Sequence, residues 1–338
     1  MNYYLAPMEG ITGYIYRNAY HKYFGGMEKY FTPFLSPHMN KAMTSREKND
    51  ILPEHNQGLF VVPQLLTNDS EAFCRAMIIL NEMGYKEVNL NLGCPSGTVV
   101  AKGKGAGFLA QERRENLAYF LDQIYDHSEK YGMEISIKTR IGMESQEEFG
   151  ELLPLFFQFP VKELIVHPRV QTDFYRNTPN EEAFLLAVSQ SDLQKKSCKQ
   201  GSKMLTDLCY NGDIFSPKDF AHVSTVFPEV GSVMLGRGAI ANPGLVEWIS
   251  TGRNSLDKKQ LRSFHDEILS GYREIMSGDK NALFKMKELW TYLFILFPGC
   301  ERQAKRIRKA NTLDSYLSAV DILFEEGKFC PESAFQGF

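Results

Sequence analysis

Asn91-Leu92-Gly93-Cys94-Pro95 places a carboxamide and a thiol three residues apart, at the end of the run Glu87–Leu92 and the start of a glycine-rich loop that extends to Gly107. Glycine lets backbone approach a ligand closely, and loops anchored by strand ends concentrate binding and catalytic side chains. A thiol with a free pKa of about 8.5 is mostly protonated at neutral pH, so Cys94 has a proton to give. A buried, inert cysteine fits the pentapeptide equally well, because free cysteine often packs as a small hydrophobe. Other β-like runs end in the same manner. Lys138 with Arg140, His167 with Arg169, Pro7-Met8, Gln64, Asn211-Gly212-Asp213 and Gly236-Arg237-Gly238 each follow or close such a run.

The runs themselves are Tyr3–Ala6, Lys29–Thr32, Leu59–Pro63, Glu87–Leu92, Glu134–Thr139, Glu163–His167, Met204–Tyr210 and Ser232–Leu235. Helical signals separate them. Asn68-Asp69-Ser70-Glu71 caps an amphipathic stretch to Met83, and Glu112–Tyr131 repeats Leu117, Phe120, Leu121 and Ile124 on one face. Ser216-Pro217-Lys218-Asp219 opens another helix with proline in its first position. The connection Phe34–Gly58 carries the weakest helical signal, and Gln190–Lys203, with Lys195-Lys196 and Lys199, reads as an irregular polar loop. Eight βα repeats within about 250 residues predict a (β/α)8 TIM barrel, whose chemistry sits at the C-terminal ends of the strands. The polar and glycine residues named above crowd at those ends.

After Arg253 the pattern is helical only, which predicts a small all-helical C-terminal domain. Leu261, Phe264, Ile268, Tyr272 and Ile275 form one apolar stripe. Met286, Leu289, Trp290, Leu293 and Phe297 form a second, and Leu313, Tyr316, Leu317 and Val320 a third. The expected division is a barrel over 1–250 and a helical domain over 253–338.

An apolar fraction of 43% with 23% charged residues is that of a soluble globular chain rather than a disordered one. No apolar run approaches the roughly 20 residues that span a bilayer, and the N-terminus lacks a signal-peptide pattern. The six cysteines show no CxxC pair. A reduced, cytoplasmic monomer with no membrane and no metal is expected. The net charge of −3 argues against a nucleic-acid partner, but its distribution does not. Arg253–Lys309 holds thirteen Lys/Arg against seven Asp/Glu, with Arg302, Lys305, Arg306, Arg308 and Lys309 nearly contiguous. That excess fits either a polyanion partner or a solvated helix face.

The ordered set Leu5-Ala6-Pro7-Met8-Glu9-Gly10-Ile11-Thr12, Pro63-Gln64-Leu65, Asn91-Leu92-Gly93-Cys94-Pro95, Lys138-Thr139-Arg140-Ile141-Gly142, His167-Pro168-Arg169, Asn211-Gly212-Asp213-Ile214 and Met234-Leu235-Gly236-Arg237-Gly238-Ala239 resembles the tRNA-dihydrouridine synthases. These are FMN-dependent enzymes that reduce uridine in tRNA. The motifs follow the family's order over the first 245 residues, and the helical tail looks like the family's RNA-contacting domain.

The resemblance implies roles. FMN would be the cofactor, NADPH or NADH its reductant, and tRNA the partner. Gly236, Gly238 and Arg237 would hold the FMN phosphate, with Asn211 and Asp213 at the same end. Lys138 would place its ammonium near the flavin pyrimidine edge, where it stabilises negative charge on the reduced ring. Gln64 and the backbone at Pro7 and Met8 would bond the ring's rim, and His167 would contact FMN. Cys94 would be the general acid, giving C5 of the uracil a proton after hydride reaches C6. Asn91 and Arg140 would hold the uracil edge, and Arg302, Lys305, Arg306 and Arg308 would meet tRNA phosphates.

Two features depart from the family pattern. Phe31-Thr32-Pro33-Phe34 lacks the acidic residue often found there, and His-Pro-Arg replaces the commoner His-Gly-Arg, which stiffens the loop. Two rival readings share part of the pattern. A dihydroorotate dehydrogenase-like pyrimidine oxidoreductase would have the phosphate loops but not the basic tail. A flavin-bearing RNA-binding protein without catalysis would not need Cys94 and Lys138 together.

Overall fold

The computed structural model describes residues 1–38, 41–197 and 205–336, and the side chains of 195–197 lie outside that description. The expectations for the side chains of Lys195, Lys196 and Lys199, and for a strand start at Met204, therefore fall outside the described residues.

Nine strands form one parallel sheet: β1 Asn2–Leu5, β2 Lys29–Phe31, β3 Val61–Val62, β4 Gln64–Leu65, β5 Glu87–Leu92, β6 Glu134–Arg140, β7 Glu163–His167, β8 Asp207–Tyr210 and β9 Ser232–Leu235. Their order is β3-β2-β1-β9-β8-β7-β6-β5-β4. The two edge strands are adjacent in the chain and separated only by Pro63. The ring is therefore a nearly closed eight-position barrel whose third strand is interrupted. This corrects the expected strand Leu59–Pro63, and proline is the reason, since it has no N–H for the ladder. The Pro63 carbonyl still accepts the Asn89 N–H at 2.8 Å, while Thr32 donates its N–H to Val62 and accepts the Gln64 N–H on its hydroxyl at 3.0 Å.

Side chains alternate across each strand. In β5, Val88, Leu90 and Leu92 join the apolar layer beneath the helices. Glu87, Asn89 and Asn91 have the opposite parity and form a polar ladder from the barrel floor to its mouth. At the floor Lys29 sits between Glu87 at 2.9 Å and Glu163 at 3.2 Å. Tyr4 and Ser232 donate to the same Glu163 carboxylate. Above them a small apolar plug that includes Phe31, Ile165, Cys209 and Met234 fills the interior.

The outer helices follow their sequence signals. Asp69 caps Ser70–Glu82 by accepting the Ala72 N–H, and Ser216 caps Pro217–Val226. Leu117, Phe120, Leu121 and Ile124 are all buried on Arg114–Tyr131. The connection 34–58 holds only a short helix, Ser45–Ile51, with a Thr44/Glu47 capping box. Buried Arg17 ties it down, donating to the Thr12 carbonyl, to Asp50 and to Asn56. The polar stretch expected to be irregular from Gln190 instead continues the helix Glu181–Ser197, which packs through Phe184 and Ala187.

Helices Lys258–Ile275, Asp279–Leu293, Glu301–Lys309 and Leu313–Glu326 form the tail. Its apolar stripes face inward with one exception: Ile275 is 50% exposed and lines an open cleft. The tail core is continuous with that of the barrel, as Phe264 packs edge-on against Tyr16 and Phe24. No helix among the described residues is long and apolar enough to cross a membrane.

A buried polar chain orders this tail. The Trp290 indole N–H donates to the Tyr316 hydroxyl at 2.8 Å, so the Tyr316 O–H is left to donate to His265 Nε2 at 2.7 Å. His265 Nδ1–H then donates to Asp266 at 2.8 Å. Tyr316→Phe leaves an indole N–H and an imidazole nitrogen unpaired and is expected to cost about 1–3 kcal/mol in a denaturant titration. Burial lowers the His265 pKa, so the unfolded chain binds its proton more readily than the folded one. Stability therefore falls as pH drops below about 6.5, and His265→Gln flattens that slope.

Candidate active site at the barrel mouth

A directional chain of amides fixes the Cys94 loop. The N–H groups of Gly93 and Cys94 both donate to the Asn91 side chain, at 3.0 and 2.9 Å, so the atom facing them is its oxygen. The Asn91 amide nitrogen must then donate, and it does so to Gln64 Oε1 at 2.7 Å. Gln64 Nε2 donates in turn to Asn89 Oδ1 at 2.8 Å, and Asn89 Nδ2 to the Ser136 hydroxyl at 2.9 Å. Asn91 thus grips the backbone of the residue that carries the thiol. From the other side Gly105, at φ 56°, folds back over Cys94. A Cβ there would lie 2.8 Å from the Cys94 carbonyl oxygen.

Arg140, only 1% exposed, is the clamp beneath this loop. It donates to the carbonyls of Gly93, Val170 and Phe174, at 3.1, 2.7 and 2.6 Å. It therefore joins the Cys94 loop to the loop after β7 with three of its five N–H groups. Phe174, its third partner, is the only non-glycine residue with positive φ among the described residues, at 51°. Such backbone costs on the order of 1–3 kcal/mol and persists only where its surroundings impose it.

Lys138 is the register partner of Asn91 across β5 and β6. Its ammonium makes no hydrogen bond or ion pair among the described residues. Burial, and secondarily the charge of Arg140, lowers its pKa to about 8. Burial raises the Cys94 thiol above its ordinary value, which keeps it protonated at neutral pH. Arginine has no acceptor, so the 3.0 Å contact from Arg169 Nη1 makes His167 Nε2 an acceptor and leaves the proton on Nδ1. Burial and the neighbouring cations hold the His167 pKa well below the usual range, so the ring is neutral. Arg169 also pairs with Asp213, which bridges to Arg237 at 2.5 Å.

Asn211 donates to the Met234 carbonyl at 2.8 Å. The Met8 N–H is taken by the Thr12 hydroxyl at 2.8 Å and its carbonyl by Ile11 and Thr12, so the Pro7 carbonyl is the backbone acceptor left at that rim. Asn89 and Ser136 carry no motif signal, and their inward parity places them in the relay. Tyr175 also lacked a signal. Its ring lies 4.3 Å from the Arg237 guanidinium carbon and 5.9 Å from the His167 ring. Its position after His-Pro-Arg was the only available pointer.

A small cleft at the barrel mouth is lined by Ala6–Met8, Lys138, His167, Tyr175, Asn211–Phe215 and Gly236–Gly238. Among the lining residues Lys138 and Arg237 outnumber Asp213, and Gly238 admits no side chain, because a Cβ would lie 2.2 Å from the Ile214 carbonyl oxygen. An unpartnered ammonium in a cationic, glycine-walled cleft fits an anionic cofactor with a flat ring. No group of three or more His, Cys, Asp or Glu among the described residues is arranged to hold a metal ion.

Arg302, Lys305, Arg306, Arg308 and Lys309 lie apart from this cleft, exposed on Glu301–Lys309. None of the five pairs with a carboxylate among the described residues. Four of them, Arg302, Lys305, Arg306 and Lys309, line an open groove against the helix Leu313–Glu326.

Residues 4–336 match a family model described as Dihydrouridine synthase (Dus). A protein of Staphylococcus epidermidis described as a probable tRNA-dihydrouridine synthase is 25% identical over 328 residues, covering 94% of this chain and 91% of its own. A Bacillus subtilis protein, probable tRNA-dihydrouridine synthase 2, is 24% identical over 79% of this chain and 78% of its own. Among solved structures, morphinone reductase superposes with a TM-score of 0.51 at 14% identity, over 77% of this chain and 88% of that one. That likeness shows the barrel fold.

Proposed function

The chain belongs to the dihydrouridine synthase family, and from that premise we propose that it reduces the C5–C6 double bond of particular uridines in tRNA, with FMN as cofactor and NADPH or NADH as reductant. The observation that carries this reading is the thiol of Cys94, its backbone pinned by Asn91, beside the unpartnered Lys138 at the mouth of the barrel. Residues 1–250 act as the cofactor-binding and catalytic domain, and 253–338 as the tRNA-binding domain of a cytoplasmic monomer.

When bound, FMN supplies the hydride that goes to C6 of the uracil. Every other requirement falls on the protein. The target base must leave its stack to enter the mouth, at a cost of a few kcal/mol that contacts elsewhere on the RNA offset. Cys94 holds its proton on Sγ and gives it to C5. Asn91 keeps one amide hydrogen for the uracil edge while its oxygen positions Cys94. Arg140 acts one step further back, by holding the two loops that flank the base. Lys138 and the His167 Nδ1–H donate toward the cofactor ring, with the Pro7 carbonyl and Gln64 at its rim. Arg237 and the backbone near Gly236 and Gly238 hold the phosphate, with Asn211 and Asp213 fixing that end.

Lys138 gives this reading a pH signature. An anionic ligand raises the Lys138 pKa from about 8, so binding takes up a proton above that pH. Affinity for FMN is expected to fall by up to about tenfold per pH unit above pH 8. Lys138→Met binds FMN more weakly and loses this dependence. Fluorescence titration of the flavin from pH 7 to 9 measures both effects.

Mapping dihydrouridine in RNA from cells lacking this protein tests the proposal. Defined tRNA positions should lose the modification, the intact protein should restore it, and Cys94→Ala protein should not. An unchanged map overturns the reading.

A further inference from the structure

The segment after β1 separates two clefts. Pro7 and Met8 border the barrel mouth, and the next two residues, Glu9 and Gly10, border an open cleft between the barrel and the helical tail. Consecutive Cα atoms are about 3.8 Å apart, so a thin wall divides them. Neither the proposed chemistry nor the basic helix uses the second cleft.

Its walls are apolar and aromatic. Tyr14, Ile15 and Phe34 come from the barrel side, and Tyr272, Ile275 and Met276 from the end of Lys258–Ile275. The carboxylates nearby are already engaged. Asp50 accepts the Tyr14 N–H and pairs with Arg17, and Glu47 accepts the N–H groups of Ser36 and Thr44. Three charged groups keep unused capacity. Arg46 meets Glu9 at 3.2 Å with both side chains at least half exposed, and Lys285 donates to the Gly10 carbonyl at 2.8 Å. Two lining cations, Arg46 and Lys285, face three lining carboxylates, Glu9, Glu47 and Asp50, so the cleft lacks the positive excess that a phosphate requires. Apolar and aromatic walls with the donors of Arg46 and Lys285 and the acceptor of Glu9 among them match a neutral heteroaromatic ring.

We propose that this cleft receives a second nucleobase of the RNA, an unpaired neighbour of the uridine in the barrel mouth. The two bases straddle the Met8–Glu9 segment, one on each side. The inference rests on the RNA reading above. It adds a contact that selects which uridine is presented, because the neighbour must also be free to unstack.

The test uses the flavin-loaded full-length protein and an unmodified tRNA transcript. Matched transcripts carry an abasic ribose at the nucleotide before or after the target uridine. Base–aromatic stacking contributes about 1–3 kcal/mol, so one abasic neighbour is expected to raise the Kd about tenfold. Ile275→Trp, which fills the cleft from a half-exposed position, should raise the Kd for intact RNA similarly and abolish the further effect of the abasic site. Arg46→Ala, at an exposed position, provides the same comparison without added bulk. Flavin content and the KM for NADPH should not change. Equal binding of intact and abasic transcripts, with dihydrouridine still formed, overturns the second site alone. A raised KM for NADPH with unchanged RNA binding assigns the cleft to a nicotinamide ring and also overturns it. No dihydrouridine in intact RNA overturns both this inference and the functional reading beneath it.

Discussion

Cys94→Ala is expected to slow uridine reduction by a factor on the order of 10²–10⁴ and to leave reduction of the flavin by nicotinamide unchanged. The asymmetry follows from position. Cys94 lies in a loop held by Asn91 and covered by Gly105, and its raised pKa keeps the proton in place at neutral pH. On the proposed mechanism, removing the sulfur would remove the proton that C5 needs without touching Lys138, His167 or Arg237. The pH profile provides a second signature. A thiol acid works while protonated, so the native rate is level around pH 7 and declines on the alkaline side as Cys94 ionises. The residual Cys94→Ala rate lacks that decline. Single-turnover mixing of reduced protein with tRNA across pH measures both. Equal native and variant rates remove Cys94 from the chemistry.

Replacing Arg302, Lys305, Arg306 and Arg308 together by Ala is expected to weaken tRNA binding by about 10²–10³-fold at moderate salt. These side chains are exposed and have no carboxylate partner among the described residues, so substitution breaks no ion pair of the fold. Each phosphate contact contributes about 0.9 to the slope of log affinity against log salt, so four losses should reduce the slope by about 3 to 4. Flavin content and unfolding should remain native. A native salt slope in the variant would assign this helix face to solvent and the RNA to another surface.

The barrel was legible because parallel strands are short apolar runs separated by capped helices, and both signals are local. Pro63 was also visible, but its effect was not. Whether a proline ends a strand or interrupts it depends on its neighbours, here Thr32 and Asn89. The same limit applies at the site. Spacing placed Asn91 and Cys94 beside one another. That Asn91 holds the Cys94 backbone depends on Gln64 and Asn89, which arrive from other strands. The resemblance placed Arg140 at the uracil edge, and that it also ties two loops together was not legible because its three carbonyl partners are distant in the chain. Tyr175 had no local signal, since its place over Arg237 follows from the path of the loop after β7. The helix to Ser197 was missed because its polar composition outweighed its few inward contacts.

The most direct measurement incubates the FMN-loaded protein with NADPH and an unmodified tRNA transcript, then locates mass changes in the RNA by nuclease digestion. The account predicts a gain of two hydrogens at defined uridines with the native protein and almost none with Cys94→Ala in the same time. NADPH consumed with no change in the RNA, or with turnover of a free pyrimidine instead, would contradict it.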